Sequence, residues 1–204
     1  MVCWYHTAKG VAAMARVVKE PAERRQEILD TALRLFYENG YEQTSIADIA
    51  HALHIAQGLC YRYFPSKEAL FDAAIDQYAE RQANRLQQGL HAPATPLRQL
   101  IAEMPTFLDT ETPDDPAYQF CHGPESGKVH DRLSLLICHK VLPVVETRLR
   151  QAVADGELRP CDTEALASFC VYGQLGLLLD TQLPAAERVQ RLRAFLQQQL
   201  KQLA

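Results

Sequence analysis

Residues 44–70 read TSIADIAHALHIAQGLCYRYFPSKEAL, and their pattern decides the fold. Ser45-x-x-Asp48 has the form of a capping box, in which each residue satisfies a backbone donor of the other at a helix start. Ile46, Ile49, Ala50 and Leu53 then fall on one face of a short helix. Ala50 is small where two helices must cross. Ile55 plugs a turn, and a second short helix, about 56–63, continues the apolar set through Cys60 and Phe64. Pro65 disfavours helical geometry at the residue before it and ends that helix. Gln57, Leu59, Tyr61 and Arg62 are left on the outer side. A short helix, a tight turn and a second short helix with a polar outer face form the layout of a helix-turn-helix.

Working outward, the flanks are helical too. Upstream, Pro21 suits a first helical turn, and Ile28, Leu29, Ala32, Leu33, Leu35 and Phe36 recur at 3, 4 and 7 until Asn39-Gly40 stops the helix. Downstream, Ser66 caps a long helix through Leu70, Phe71, Ala74, Ile75 and Tyr78 towards Leu86. His91 to Pro96, with two prolines, reads as a hinge. Further helices are predicted at about 97–109, 116–122, 128–154, 163–181 and 185–203, separated by proline and glycine breaks. Strand alternation is absent, so the chain is all-α. The division that follows is a flexible N-terminal extension at 1–20, a helix-turn-helix domain at 21–67 with a linking helix at 66–88, and a larger helical domain at 89–204. Met14 precedes the first helical stretch, so residues 1–13, with the single tryptophan Trp4, read as dispensable.

Composition bounds the function. The 204 residues are 48% hydrophobic and 23% charged, ordinary for a globular protein. No apolar run approaches the roughly 20 residues of a membrane-spanning helix, so no membrane role is expected. Net charge is -4, and neither residues 14–90, at -2, nor residues 91–204, at -3, are basic. Any contact with nucleic acid must come from a local patch. Six cysteines stand singly, at 3, 60, 121, 138, 161 and 170, with no CxxC and no secretory signal. A cytoplasmic protein with reduced thiols is expected.

The outer residues of the second short helix have the chemistry of base reading. Arg62 can donate two hydrogen bonds to guanine, Gln57 can pair with adenine, and Leu59 can touch a thymine methyl. Tyr61, Tyr63, Lys67, Thr44 and Ser45 offer hydroxyls or charge to phosphates. Gly58 lets the backbone approach either the duplex or the first helix. From spacing alone, two short helices packed in a bundle would read the same way, and the charge from Thr44 to Lys67, Arg62 and Lys67 against Asp48, is thin for a DNA binder.

Thr44-Ser45-Ile46, Ile49-Ala50, Gly58-x-Cys60-Tyr61-Arg62-Tyr63-Phe64 and Lys67-Glu68-Ala69-Leu70 fall in register with one known pattern. Residues 21–70 resemble the DNA-binding domain of the TetR family of transcriptional regulators. The resemblance implies phosphate contacts at Thr44, Tyr61, Tyr63 and Lys67 and base reading at Gln57, Leu59 and Arg62. Three positions depart from the family: His54 where glycine is common in the turn, Ala56 in place of a serine cap, and Cys60 in place of leucine.

For the rest of the chain the resemblance implies a helical domain that dimerises and encloses a small-molecule pocket. Val189, Leu192, Leu196, Leu200 and Leu203 make a stripe on the last helix, widened by Phe195, and Gly173-x-x-Gly176 beside Leu177 permits close helix approach. Two such helices per subunit suit a four-helix interface with a twofold axis, although one stripe also fits packing within a single chain. Pocket candidates are Phe107, Tyr118, Phe120, Cys121, His122, Cys138, His139 and Tyr172, apolar surfaces with polar handles. The paired Cys121-His122 and Cys138-His139 raise metal or oxidation sensing beside an organic effector. Neighbours on a helix point about 100° apart, so no metal site or cofactor is predicted.

No nucleophile elbow, phosphate loop or metal-hydrolase motif is present, and an enzyme is not expected. The function read here is a DNA-binding transcriptional regulator, a repressor acting as a homodimer on a palindromic operator and released by an unidentified small molecule. An adaptor that keeps the helix-turn-helix but binds protein is the alternative.

Overall fold

The computed structural model describes residues 19–88, 90, 95–106, 118–119, 127–180 and 182–204. The chain is all-α, and among the described residues there is no strand. The first four helices are α1 (Pro21–Asn39), α2 (Ile46–Ala52), α3 (Gln57–Tyr63) and α4 (Lys67–Gln87). Beyond them come α5 (Leu97–Glu103), α6 (Gly127–Ala154), α7 (Thr163–Gly173), the one-turn α8 (Leu175–Leu178) and α9 (Ala185–Leu203).

Each early boundary has a local cause. Pro21 opens α1, and Gly40 leaves it at φ +86°, a conformation that disfavours a side chain. The capping box at α2 is present in full. The Ser45 Oγ accepts from the Asp48 N–H at 3.2 Å, and the Asp48 carboxylate accepts from the Ser45 N–H at 2.8 Å. The Ser45 hydroxyl and the Ser45 N–H, both donating to the Asp48 carboxylate, hold that carboxyl below its ordinary range. At the start of α4 the Ser66 Oγ accepts from the Ala69 N–H at 3.1 Å. By contrast α3 has Ala56 at its N-cap and no side-chain cap.

Two boundaries differ from the sequence expectation. α5 stops at Glu103, not near 109, because Pro105 follows Met104, which takes ψ 135°. The helix expected over 163–181 is two pieces that meet at Gln174. The expected helix at 116–122 lies mostly outside the described residues.

Two apolar clusters organise the molecule. The first packs α1 to α4 around Ile28, Leu29, Phe36, Ile49, Cys60 and Ile75, all at most 1% exposed. The second joins Leu97 and Leu100 of α5, Leu149 and Ala152 of α6, Ala167 of α7 and Leu200 of α9. α6 runs between them. Its Leu133 belongs to the first cluster and its Leu149 to the second, and its 28 residues cover about 42 Å. Polar contacts fix α4 along α6: Arg132 to Asp72 at 2.8 Å, Lys140 to Asp76 at 3.0 Å and to Glu80 at 2.9 Å, and Gln87 Nε2 donating to the Lys140 carbonyl at 2.9 Å.

Candidate nucleic-acid interface and an internal cavity

The turn between α2 and α3 sets the interface. His54 takes φ +53°, the only positive φ at a non-glycine residue among those described. The left-handed step turns the chain so that α3 crosses α2 with Ile55 half-buried against the first cluster. Cys60 and Phe64 then point inward, at 0% and 3% exposed, and Gln57, Gly58, Tyr61 and Arg62 face outward. Gln57 and Tyr61 share one ridge and Gly58 and Arg62 the next, as the i, i+4 rule requires. A helix of seven residues is about 10 Å long and fits a major groove about 12 Å wide.

Other expected DNA contacts stand differently. Leu59 and Tyr63 are half-buried, and Tyr63 packs on the first cluster. Thr44 is 1% exposed, and its hydroxyl lies 2.9 Å from the Gly40 carbonyl and 3.1 Å from that of Leu35. Its proton is spent inside the fold, so the Thr44 hydroxyl is a brace for the α1–α2 turn and not a phosphate contact. The Ser45 hydroxyl is exposed but engaged with Asp48 at 2.6 Å. Lys67 donates to the Glu42 carbonyl at 3.2 Å and lies 4.2 Å over the Tyr41 ring, which holds its charge beside the start of α2. A Cβ at Gly58 would meet nothing within 4 Å, so close packing on α2 does not require the glycine. The sequence reading missed Arg25, exposed on α1, whose guanidinium stacks 5.2 Å over Phe64 and adds positive charge at the end of α3. No local motif marks it, since the contact joins residues 39 positions apart.

The second half of the chain is hollow. A cavity of about 820 Å³ lies between α4, α5, α6, α7, α8 and α9. Its walls are mainly apolar, among them Ile101, Ile137, Val141, Val171, Leu192 and Leu196, with Tyr78, Gln82 and Leu86 contributed by α4. Of the pocket candidates, Tyr118 and Cys138 line it. His139 is exposed on the opposite side of α6, and Tyr172 is outside the lining; a rotation of about 100° per residue carries each away from its lining neighbour, Cys138 or Val171. Phe107, Phe120, Cys121 and His122 lie outside the described residues.

Burial pushes the Cys138 thiol up to about 11 and raises that of Cys170 as well, and the Cys138 thiol donates to the Val171 carbonyl at 3.4 Å. Thiols held protonated are poor nucleophiles and poor metal ligands. Among the described residues no three His, Cys, Asp or Glu side chains are gathered as a metal site would need.

The stripe expected to pair two subunits also faces this space. Val189, Leu192 and Leu200 are 4–6% exposed and, with Leu196, line the cavity. Buried inside one chain, they are unavailable to a second. The open apolar residues of α7 and α9 are Phe169, 80% exposed, and Phe195, 53% exposed; Gly173 at the end of α7 and Gly176 in α8 are also on the surface, and Leu177 is half-buried. Arg148 and Gln82 in the cavity wall were missed as well. The Arg148 signal was present: it falls on the apolar stripe formed by Val141, Val145, Leu149 and Ala152.

Known proteins bear on both halves. Residues 28–74 match the model of bacterial regulatory proteins of the tetR family. The HTH-type transcriptional repressor ComR of Escherichia coli is 30% identical over 154 residues, covering 71% of this chain and 73% of that protein. The uncharacterized HTH-type regulator YuxN of Bacillus subtilis is 41% identical over only 64 residues, so the aligned stretch spans 22% of its length. Among solved structures, GusR of Salmonella enterica superposes with a TM-score of 0.56 at 26% identity, covering 91% of this chain and 97% of that one. Among the described residues no helix is long and apolar enough to cross a membrane. With the full helix-turn-helix at one end and an all-helical second half alignable along most of ComR and GusR, the chain belongs to the tetR family of bacterial regulatory proteins.

Proposed function

We propose that this DNA-binding regulator is a repressor that sits on a palindromic operator as a cytoplasmic homodimer and leaves it when a small molecule fills the cavity. The observation that carries the reading is the double use of α4. Its Leu70, Ala74 and Ile75 are part of the helix-turn-helix core, at 0% exposed, while its Tyr78, Gln82 and Leu86 form a wall of the cavity. A ligand that forces that wall outward moves a helix to which α1, α2 and α3 are rigidly packed.

The required motion is small. Half-sites read by two recognition helices lie about 34–36 Å apart, so a displacement of a few ångströms takes one helix out of register. The ligand must bind the released state more tightly than the bound one; equal affinity would shift nothing. Two subunits can meet through the exposed faces of α7, α8 and α9, where Phe169, Gly173, Gly176 and Phe195 leave apolar surface and room for close approach. Repression is supported by the likeness to ComR, a repressor by name.

Selection of duplexes from a random library tests the reading. The expected winner is palindromic, binds two chains, and weakens steeply with salt. Phe169→Glu should bind the same duplex far more weakly and sediment as a monomer. A winner without symmetry, bound by one chain, would contradict the dimeric operator.

A further inference from the structure

The cavity has a polar feature that its apolar walls do not explain. Arg148 is 5% exposed and lines the cavity among leucines and valines. Its Nη2 donates to the Thr95 carbonyl at 2.8 Å and to a Glu157 oxygen at 2.9 Å. The other Glu157 oxygen accepts from the Leu97 N–H at 2.6 Å. Nε and Nη1 have no partner among the described residues, so three of the five N–H donors of a permanently charged group are left in an apolar space. Buried charged donors without acceptors are strongly unfavourable, and hydrogen bonds to carboxylate oxygens are about twice as strong as those to neutral acceptors. An acceptor oxygen on a ligand would complete this arginine, an anionic one most strongly.

The length and lining of the cavity limit what carries that oxygen. α6 lines it at intervals from His130 to Leu149, a span of about 28 Å at 1.5 Å per residue. The cavity of about 820 Å³ is walled mainly by apolar side chains over that length. Arg148 stands near one end, followed along α6 by Val145, Val141, Cys138 and Ile137. On the α4 side of the cavity, Gln82 is 6% exposed with its Oε1 unpartnered among the described residues. From Arg148 to Leu133 is about 22 Å along the helix, room for a straight chain of about sixteen carbons.

We infer that the cavity binds a long-chain monocarboxylate, its head on Arg148 and its tail running along α6 to the α4 wall. The inference rests on reading the cavity as the effector site, and it adds the chemical class of the effector and its orientation.

Calorimetric titration of the full-length protein with hexadecanoate, octanoate, hexadecanol, hexadecylamine and cholate, each below its micellar concentration, tests it, with operator affinity measured beside each. Hexadecanoate should bind most tightly, hexadecanol and hexadecylamine at least tenfold more weakly, and Arg148→Gln should bring hexadecanoate down to the level of hexadecanol. Because Arg148 also holds Thr95 and Glu157, Val141→Trp supplies a second readout with the arginine in place. Val141 lies about 10 Å from Arg148 along α6, on the path of the tail, so the indole should weaken hexadecanoate at least tenfold.

Equal binding of hexadecanol or hexadecylamine, unchanged hexadecanoate binding in Val141→Trp, or no binding by any probe would overturn the inference. Cholate that binds more tightly than hexadecanoate and releases the operator would overturn the ligand class while upholding the cavity as the effector site. Hexadecanoate that binds as described but leaves operator affinity unchanged would uphold the ligand class and contradict release by ligand.

Discussion

The two ends of the molecule are built to opposite standards. Around α1 to α3 the core is filled: Ile28, Leu29, Ala32 and Ile49 are fully buried, and even the Thr44 hydroxyl is supplied with backbone carbonyls. Between α5, α6, α7 and α9, residues of the same kinds surround about 820 Å³ of space, and a buried guanidinium keeps donors open. A packed core has one arrangement and moves as a body, whereas a hollow one can be filled or left empty. The first suits a rigid reading head and the second a receiver, with α4 belonging to both.

The largest expected effect probes that contrast. Leu29→Ala, in the filled core, should lower stability by about 3–5 kcal/mol, whereas Leu192→Ala, whose side chain already borders empty space, should lose less than half as much, since one side of it has no contacts to lose. Chemical denaturation of both variants checks it; equal losses would break the comparison.

Within the packed end, Arg62→Ala should weaken operator binding by roughly 1–3 kcal/mol and relax preference at one base pair. Lys67→Ala should weaken every sequence alike and reduce the salt slope by about one. Binding isotherms on the selected duplex and on single-base variants separate the two. A uniform loss from both would remove Arg62 from the base edge.

A smaller effect concerns the turn. An L side chain at φ +53° gives up about 1 kcal/mol relative to glycine, so His54→Gly should raise the midpoint of thermal unfolding by a few degrees. An unchanged or lower midpoint would mean that the extra freedom of the unfolded glycine outweighs the relief.

The smallest expected effect is a pH dependence at the hollow end. Burial alone would raise the Glu157 carboxyl, but the Arg148 hydrogen bond and the Leu97 N–H outweigh it and hold the group below its ordinary 4.5. A depressed carboxyl contributes stability that is present above its unfolded value and lost as pH falls through its folded value. The gap in unfolding temperature between wild type and Glu157→Gln should therefore be full at neutral pH and close as the pH falls below 4.5. A gap that stays constant would show that the carboxylate charge is not what matters there.

The contrast also explains what could be read from the sequence. The packed end was legible because its signals are local: Ser45 and Asp48 three residues apart, Pro65 after α3, Ser66 before α4, and apolar residues at helical spacing. The inward Thr44 was not, since its acceptor on Leu35 lies nine residues back on another helix. At the hollow end periodicity showed which face of α9 is apolar but not what covers it. Val189, Leu192, Leu196 and Leu200 fit a second subunit as well as a cavity of their own chain. Arg148 in an apolar stripe was the visible sign that this face surrounds something other than side chains.

The most direct test of the coupling is the operator affinity of Val141→Trp, measured with no ligand added. The indole occupies the cavity far from α3 and leaves the reading head untouched. If α4 transmits filling of the cavity, the variant should stay fully helical yet bind the operator at least tenfold more weakly than wild type. An affinity equal to that of wild type, with the indole buried, would show that the cavity can be filled without the DNA-reading end responding, and would contradict the account.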